Sequence, residues 1–122
     1  MPTLDEMVAA YGAAWNAPDV AARRRALEKA WAEDGVYTDP TAYVEGRDAL
    51  VAHIAGFQQQ MPGARITLTS GVDAHHRAFR FTWTLEGSDG TTITEGVDFG
   101  ELAPDGRIRR ITGFFGSPPA GG

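Results

Sequence analysis

The chain has 122 residues, 43% of them hydrophobic and 22% charged, the balance of one soluble folded domain, which argues against two domains and against disorder. A formal net charge of -5 argues against a nucleic-acid partner, because phosphate binding needs a basic field. With no cysteine, disulfides, thiolate nucleophiles and cysteine-ligated metals are excluded.

In chain order, Thr3 followed by Glu6 is a capping-box signature, and Leu4, Val8, Tyr11 and Trp15 recur at helical spacing. This predicts a first helix that buries Tyr11. The start "MPTLDEMVAAYG" lacks the basic and apolar parts of a signal peptide, and no apolar run is long enough to span a bilayer, so a cytoplasmic protein with no membrane partner is expected. "NAPD" breaks the first helix, and Asp19 caps a second with Val20, Ala26, Leu27, Ala30 and Trp31 inward, ending at Glu33 to Gly35. Its Arg23, Arg24 and Arg25 read as a solvated face. A short strand around Tyr37 follows in "DGVYTDP", and "EGRDALVAHIAGFQQQMPG" then predicts a third helix with Leu50, Ile54 and Phe57 inward and His53 at the stripe's edge.

From Ala64 the period changes to two. Strands are predicted near 64–73, 75–87, 91–102 and 107–116, with tight turns at Asp89-Gly90 and Asp105-Gly106. Helices followed by an antiparallel meander indicate an α+β domain over residues 1–116, with 117–122 a flexible tail.

Several residues in this frame could carry chemistry, each beside a plainer reading. Tyr37 and Asp39 share one strand face; Asp39 can shape an Asp-Pro turn or take a proton. Asp98 falls in mid-strand, where aspartate is disfavoured, on the face opposite Val97 and Phe99. An ion pair with an arginine such as Arg80 or Arg109, or exposure on a solvated face, would explain it. Tyr11 can be a core aromatic with a satisfied hydroxyl. His75 and His76, read as neighbours on one strand, point to opposite faces and cannot easily share a metal, so no metal is expected. The G-x-S-x-G elbow and the Gly-rich phosphate loops are absent, which argues against covalent catalysis and nucleotide binding.

The succession "YGAAWNAPDV", "AEDGVYTDP", "EGRDALVAHI" and "GVDFGELAPDGRIRRITGFFG" resembles the nuclear transport factor 2-like superfamily over nearly the whole chain. The resemblance implies a cystatin-like cone, in which three helices pack in a strongly curved, mostly antiparallel sheet around an apolar pocket, often in a homodimer. Within the superfamily the chain is most similar to ketosteroid isomerases and SnoaL-like polyketide cyclases. "YGAAWNAPD" places Tyr11 at the isomerases' oxyanion tyrosine, the D-P pair places Asp39 at their general base, and "GVDFGEL" places Asp98 at their second oxyanion donor. The "AARRRALEKAW" segment adds about one helical turn relative to that pattern.

The resemblance implies a cofactor-independent enzyme that moves a proton α to the carbonyl of a small apolar compound, with Tyr37, Trp83, His53, Phe115 and Trp15 contacting it. A second reading is a SnoaL-like cyclase or dehydratase, in which Asp39 or Asp98 is the base and His53 or Tyr37 assists. A third is a non-catalytic small-ligand-binding or dimerisation domain.

Overall fold

The structure, a computed structural model, describes residues 2–121. Helix α1 spans Leu4–Asn16, and its capping box is complete: the Thr3 hydroxyl accepts from the Glu6 amide, and the Glu6 carboxylate accepts from the Thr3 amide. Helix α2 spans Val20–Ala30, capped by Asp19, whose carboxylate accepts from the Ala22 amide. Helix α3 spans Arg47–Gln60 and buries Leu50, Val51 and Ile54. All three pack against one sheet, in the α+β arrangement expected from helices first and strands afterwards.

Seven strands form that sheet: β1 Trp31–Asp39, β2 Ala42–Glu45, β3 Arg65–Leu68, β4 Asp73–His75, β5 Ala78–Glu86, β6 Thr92–Leu102 and β7 Ile108–Phe115. Their order is β2-β1-β7-β6-β5-β3, with β4 beside β3 on the same edge of β5. Only β1 and β7 run parallel. Register shifts between Trp31 and Val36, Leu85 and Glu86, and Glu101 and Leu102 add twist and bend as β-bulges do. The result is a curved, unclosed sheet with the helices in its concave side.

Several boundaries differ from the sequence reading. Helix α2 stops at Ala30, not at Glu33 to Gly35, and Trp31 begins β1. Asp34-Gly35 is therefore part of a bulged strand and not a turn. The buried Trp31 indole lies over Gly35, where a Cβ would come within 2.4 Å of it, and Arg47 donates two hydrogen bonds to the Trp31 carbonyl. Strand β2 was not anticipated from "AYVE", which is only four residues long. The segment 64–73 is interrupted: β3 ends at Leu68, and the Ser70 hydroxyl accepts the Thr82 amide before β4 begins. His75 ends β4, and His76 turns the hairpin with φ 55. The two rings consequently meet, with Nδ1 atoms 3.1 Å apart, contrary to their expected placement on opposite faces of one strand.

Arg23 is also not solvated. It is 4% exposed and donates to Gln58 Oε1 at 2.7 Å. Gln58 in turn donates to the carbonyls of Trp15 and Ala17. These lie at the carboxyl end of α1, where carbonyls lack helical partners and a positive charge is favoured. The cluster ties α1, α2 and α3 together beneath the core of Trp31, Leu27, Leu50, Ile54, Ile108 and Ile111.

Candidate active site

Alternation along β6 decides which residues face the helices. Gly96, Asp98 and Gly100 are buried, while Glu95, Phe99 and Glu101 are exposed. The concave face therefore carries two glycines around one aspartate. A Cβ on Gly96 would fall 2.1 Å from the Trp83 ring, and one on Gly100 would fall 2.1 Å from the Phe79 ring. The aromatic side chains of β5 thus lie flat across β6 where side chains are missing. Trp83 laid over Gly96 reaches Asp98, and its indole N–H donates to Oδ1 at 3.0 Å.

Asp98 is opposite Gly113 of β7 and Phe81 of β5. Thr38 of β1 pairs with Thr112, so Asp39 comes level with Gly113 on its other side. A Cβ on Gly113 would sit 2.9 Å from Asp98 Oδ1 and 3.6 Å from Asp39 Cβ. Two aspartates thus flank one glycine across three strands, with Cα atoms about two strand spacings, or roughly 10 Å, apart. Among the described residues no arginine pairs with Asp98: Arg80 pairs with Asp73 at 2.8 Å and Arg109 with Glu101 at 3.5 Å. The ion-pair explanation for Asp98 is overturned.

Tyr11 enters from α1. Its ring stacks on Trp31 at 5.5 Å and meets Phe81, the register partner of Asp98, edge-on at 6.5 Å. Tyr11, Asp39 and Asp98 line one cavity of about 400 Å³, within the size range of small-molecule sites. The same cavity takes in Tyr37, Trp83, His53, Phe115 and Trp15, so every site residue named from the sequence reaches it. Trp15 contacts Tyr37 and His53, and Phe115 packs edge-on against Trp83.

Asp39 is held on both oxygens. Oδ2 accepts from the Tyr37 hydroxyl at 2.5 Å, and Oδ1 accepts from the Thr41 amide and hydroxyl, each at 2.7 Å. The turn chemistry of Asp-Pro-Thr and the cavity position belong to one side chain.

The electrostatics follow from burial. Asp98, 6% exposed, is pushed up to about 7, chiefly by desolvation of its charged form and further by the charge of Asp39, against the opposing Trp83 hydrogen bond. The Tyr11 hydroxyl is raised well above the ordinary phenol value, first by burial and then by the charge of Asp98. Tyr37 is raised by burial and by its bond to Asp39. Both phenols therefore remain donors at neutral pH.

Sequence reasoning missed the residues that make room and those that close the wall. Gly96, Gly100 and Gly113 were signalled only by sharing a strand face or register with Asp98. Thr41 was signalled by the Asx-turn pattern after Asp39. Phe57, Met61, Ile66 and Leu68 extend the apolar wall, and the last two depend on the β3–β5 register, which periodicity does not fix. Among the described residues no three of His, Asp and Glu gather as metal ligands, and no helix is long and apolar enough to cross a membrane.

Comparison with known proteins gives the family. The SnoaL-like domain pattern matches residues 8–111; no functionally curated protein matches the sequence. The crystal structure of a candidate isomerase of the SnoaL-like family from Agrobacterium tumefaciens str. C58 is 36% identical, with 91% of this chain and 95% of that chain covered and a TM-score of 0.86. A candidate polyketide cyclase from Sinorhizobium meliloti is 18% identical, with 93% and 94% covered and a TM-score of 0.71. A protein with a cystatin-like fold from Methylobium petroleophilum PM1 is 18% identical, with 98% and 79% covered and a TM-score of 0.76. At those two lower identities the likeness is one of fold. The domain pattern spans most of the sequence, and the chain belongs to the SnoaL-like family.

Proposed function

We propose that this protein is a cofactor-independent enzyme that transfers a proton α to the carbonyl of a small apolar compound. The observation that carries the reading is the meeting of Asp39, Asp98 and Tyr11 in one largely apolar cavity, with the Asp98 carboxylate and the Asp39 Cβ on either side of Gly113. Asp39 removes the proton from the carbon between the carbonyl and a β,γ double bond. The electron pair forms an enolate, whose oxygen accepts hydrogen bonds from Tyr11 and from protonated Asp98, and Asp39 returns the proton to the γ carbon. The double bond moves into conjugation, and no atom is gained or lost. A carboxylic acid kept neutral by apolar surroundings is the physical requirement for such a donor, and an Asp98 value of about 7 leaves it substantially protonated at neutral pH.

The test is conversion of a β,γ-unsaturated ketosteroid to its conjugated isomer, followed by ultraviolet absorbance. Asp39→Asn should lower kcat about 10²–10⁴-fold, and Tyr11→Phe or Asp98→Ala about 10²–10³-fold each. Binding of a phenolate analogue without turnover would favour the carrier reading instead. A cyclase or dehydratase reading is favoured by one observation: Asp98 is pushed up to about 7 and, among the described residues, takes a single hydrogen bond, from Trp83. In that reaction Asp98 would be the proton carrier, and Asp39→Asn would cost less than Asp98→Asn.

A homodimer belongs to the same proposal. On the convex face Phe99 packs edge-on against Phe114 at 5.9 Å, although the two remain 42% and 53% exposed. Beside them stand Arg80 with Asp73 and Arg109 with Glu101, both signs of charge, so a second copy can meet the patch without repulsion. Light scattering should give twice the chain mass, and Phe99→Ser with Phe114→Ser should give the single mass.

A further inference from the structure

We propose that Tyr37 is the positioning residue of Asp39 and does not bind substrate directly. This rests on the proton-transfer reading. Tyr37 and Asp39 lie two apart in β1 and so on one face. Their contact, 2.5 Å from hydroxyl to Oδ2, is at the short end for a charge-assisted O–H···O⁻ bond. A phenol has one hydrogen to donate, and here it is committed to Asp39. Tyr37 therefore cannot also be a donor to a substrate oxygen while the pair is intact, whereas Tyr11 stands in the same cavity beside Phe81 and Asp98.

What the bond supplies is orientation. The terminal torsion of an aspartate is broad and roughly two-fold, so a carboxylate at a cavity rim would turn freely. Here the Thr41 amide and hydroxyl hold Oδ1 from the turn, and Tyr37 holds Oδ2 from within the strand. The plane is fixed from two sides, leaving the second lone pair of Oδ2 to take the proton. Tyr37 is itself fixed: its ring contacts Trp15 at 5.4 Å and His53 at 5.7 Å, and it is 6% exposed. The titratable groups that face the pair from neighbouring elements are Asp98 on β6, Tyr11 on α1 and His53 on α3, and among the described residues Asp39 forms no salt bridge.

The test uses the whole protein and Tyr37→Phe, which keeps the ring and its stacking. Misplacing a reacting group by about 1 Å can cost on the order of 10²-fold. The expected result is therefore a kcat lower by about 10- to 100-fold with KM unchanged within twofold. In an Asp39→Asn background the same substitution should change kcat little, because the group it positions is gone. A rise in KM with kcat unchanged, or full additivity with Asp39→Asn, overturns the inference. A second readout needs no substrate: proton NMR of the free protein should show one hydrogen-bonded hydroxyl resonance far downfield of the amides, lost in Tyr37→Phe and in Asp39→Asn. Absence of that resonance from the wild type overturns the pairing even if the enzyme is active. Its presence with no turnover of any ketone overturns the proton-transfer reading and leaves the pairing standing.

Discussion

Asp73 and Asp98 are both aspartates in strands of one sheet, and they live in opposite worlds. Asp73 stands on the convex edge, where its carboxylate meets Arg80 in water; the two side chains are 68% and 62% exposed. Asp98 stands on the concave face, shut behind Trp83 and Phe81, with an indole N–H as partner and no cation within reach. The chain has 11 basic residues, so a counter-charge for Asp98 was available in composition and is withheld by geometry. An aspartate in a strand is paired or tuned according to the face that parity gives it. On the convex side charge is solvated and compensated, and on the concave side it is suppressed.

The largest effect by which to break that comparison is on stability against pH. Asp98 has a folded value of about 7 against 3.8 for the free side chain. Between those values the folded chain holds a proton that the unfolded chain has released, so the contribution of Asp98 to stability is full below about pH 4 and is lost as pH rises towards 7. The loss should be on the order of 4 kcal/mol, from about 1.4 kcal/mol per unit, read from denaturant midpoints across that range. Asp98→Asn should remove this contribution and leave the rest of the profile alone, while Asp73→Asn should not. Trp83→Phe sharpens the point, because it takes away the one hydrogen bond that favours the ionised form. The fall should then extend to higher pH, and so should the range over which Asp98 would serve as a donor in the proposed proton transfer. Equal pH profiles for Asp73→Asn and Asp98→Asn would sink the argument from parity.

The same distinction between local and assembled features accounts for what the sequence made legible. The Thr3 and Asp19 caps, the inward faces of α1 and α3, and the parity that puts Tyr37 with Asp39 and Asp98 opposite Phe99 are all decided within a few residues. Together with the resemblance, they were enough to name Tyr11, Asp39 and Asp98 before the cavity was seen. Trp31 was misread because an apolar residue after Leu27 and Ala30 fits both a helix stripe and a buried strand. The choice is made by Gly35 beneath its indole and by Arg47, 16 residues on. Arg23 was misread because three successive arginines look solvated, and only Gln58, 35 residues away, provides its buried partner. Gly113 carried no signal of its own. Its importance exists only when β1, β7 and β6 are side by side and a missing Cβ leaves room for the Asp98 carboxylate next to Asp39.

The smallest effect is the convex pair itself. Arg80 donates from Nε to Asp73 at 2.8 Å, a good distance, yet both partners stay largely in water, where fixing two long side chains offsets most of the attraction. Arg80→Ala should therefore cost about 0.2–1 kcal/mol at low salt and nothing measurable near 1 M salt, where the screening length falls to about 3 Å. The desolvation that holds Asp98 near 7 is a local property of its cavity, so its contribution to the pH profile should survive the same salt. Equilibrium denaturation at the two salt concentrations, run on Arg80→Ala and Asp98→Asn together, measures both. If salt erased the Asp98 effect as well, its carboxyl would be answering to distant charges through solvent, and the cavity could not be what keeps it protonated. If only the Arg80 effect disappears, exposure governs the electrostatics of each face, and the cavity around Asp98 sets the pH at which its proton leaves whatever the salt concentration.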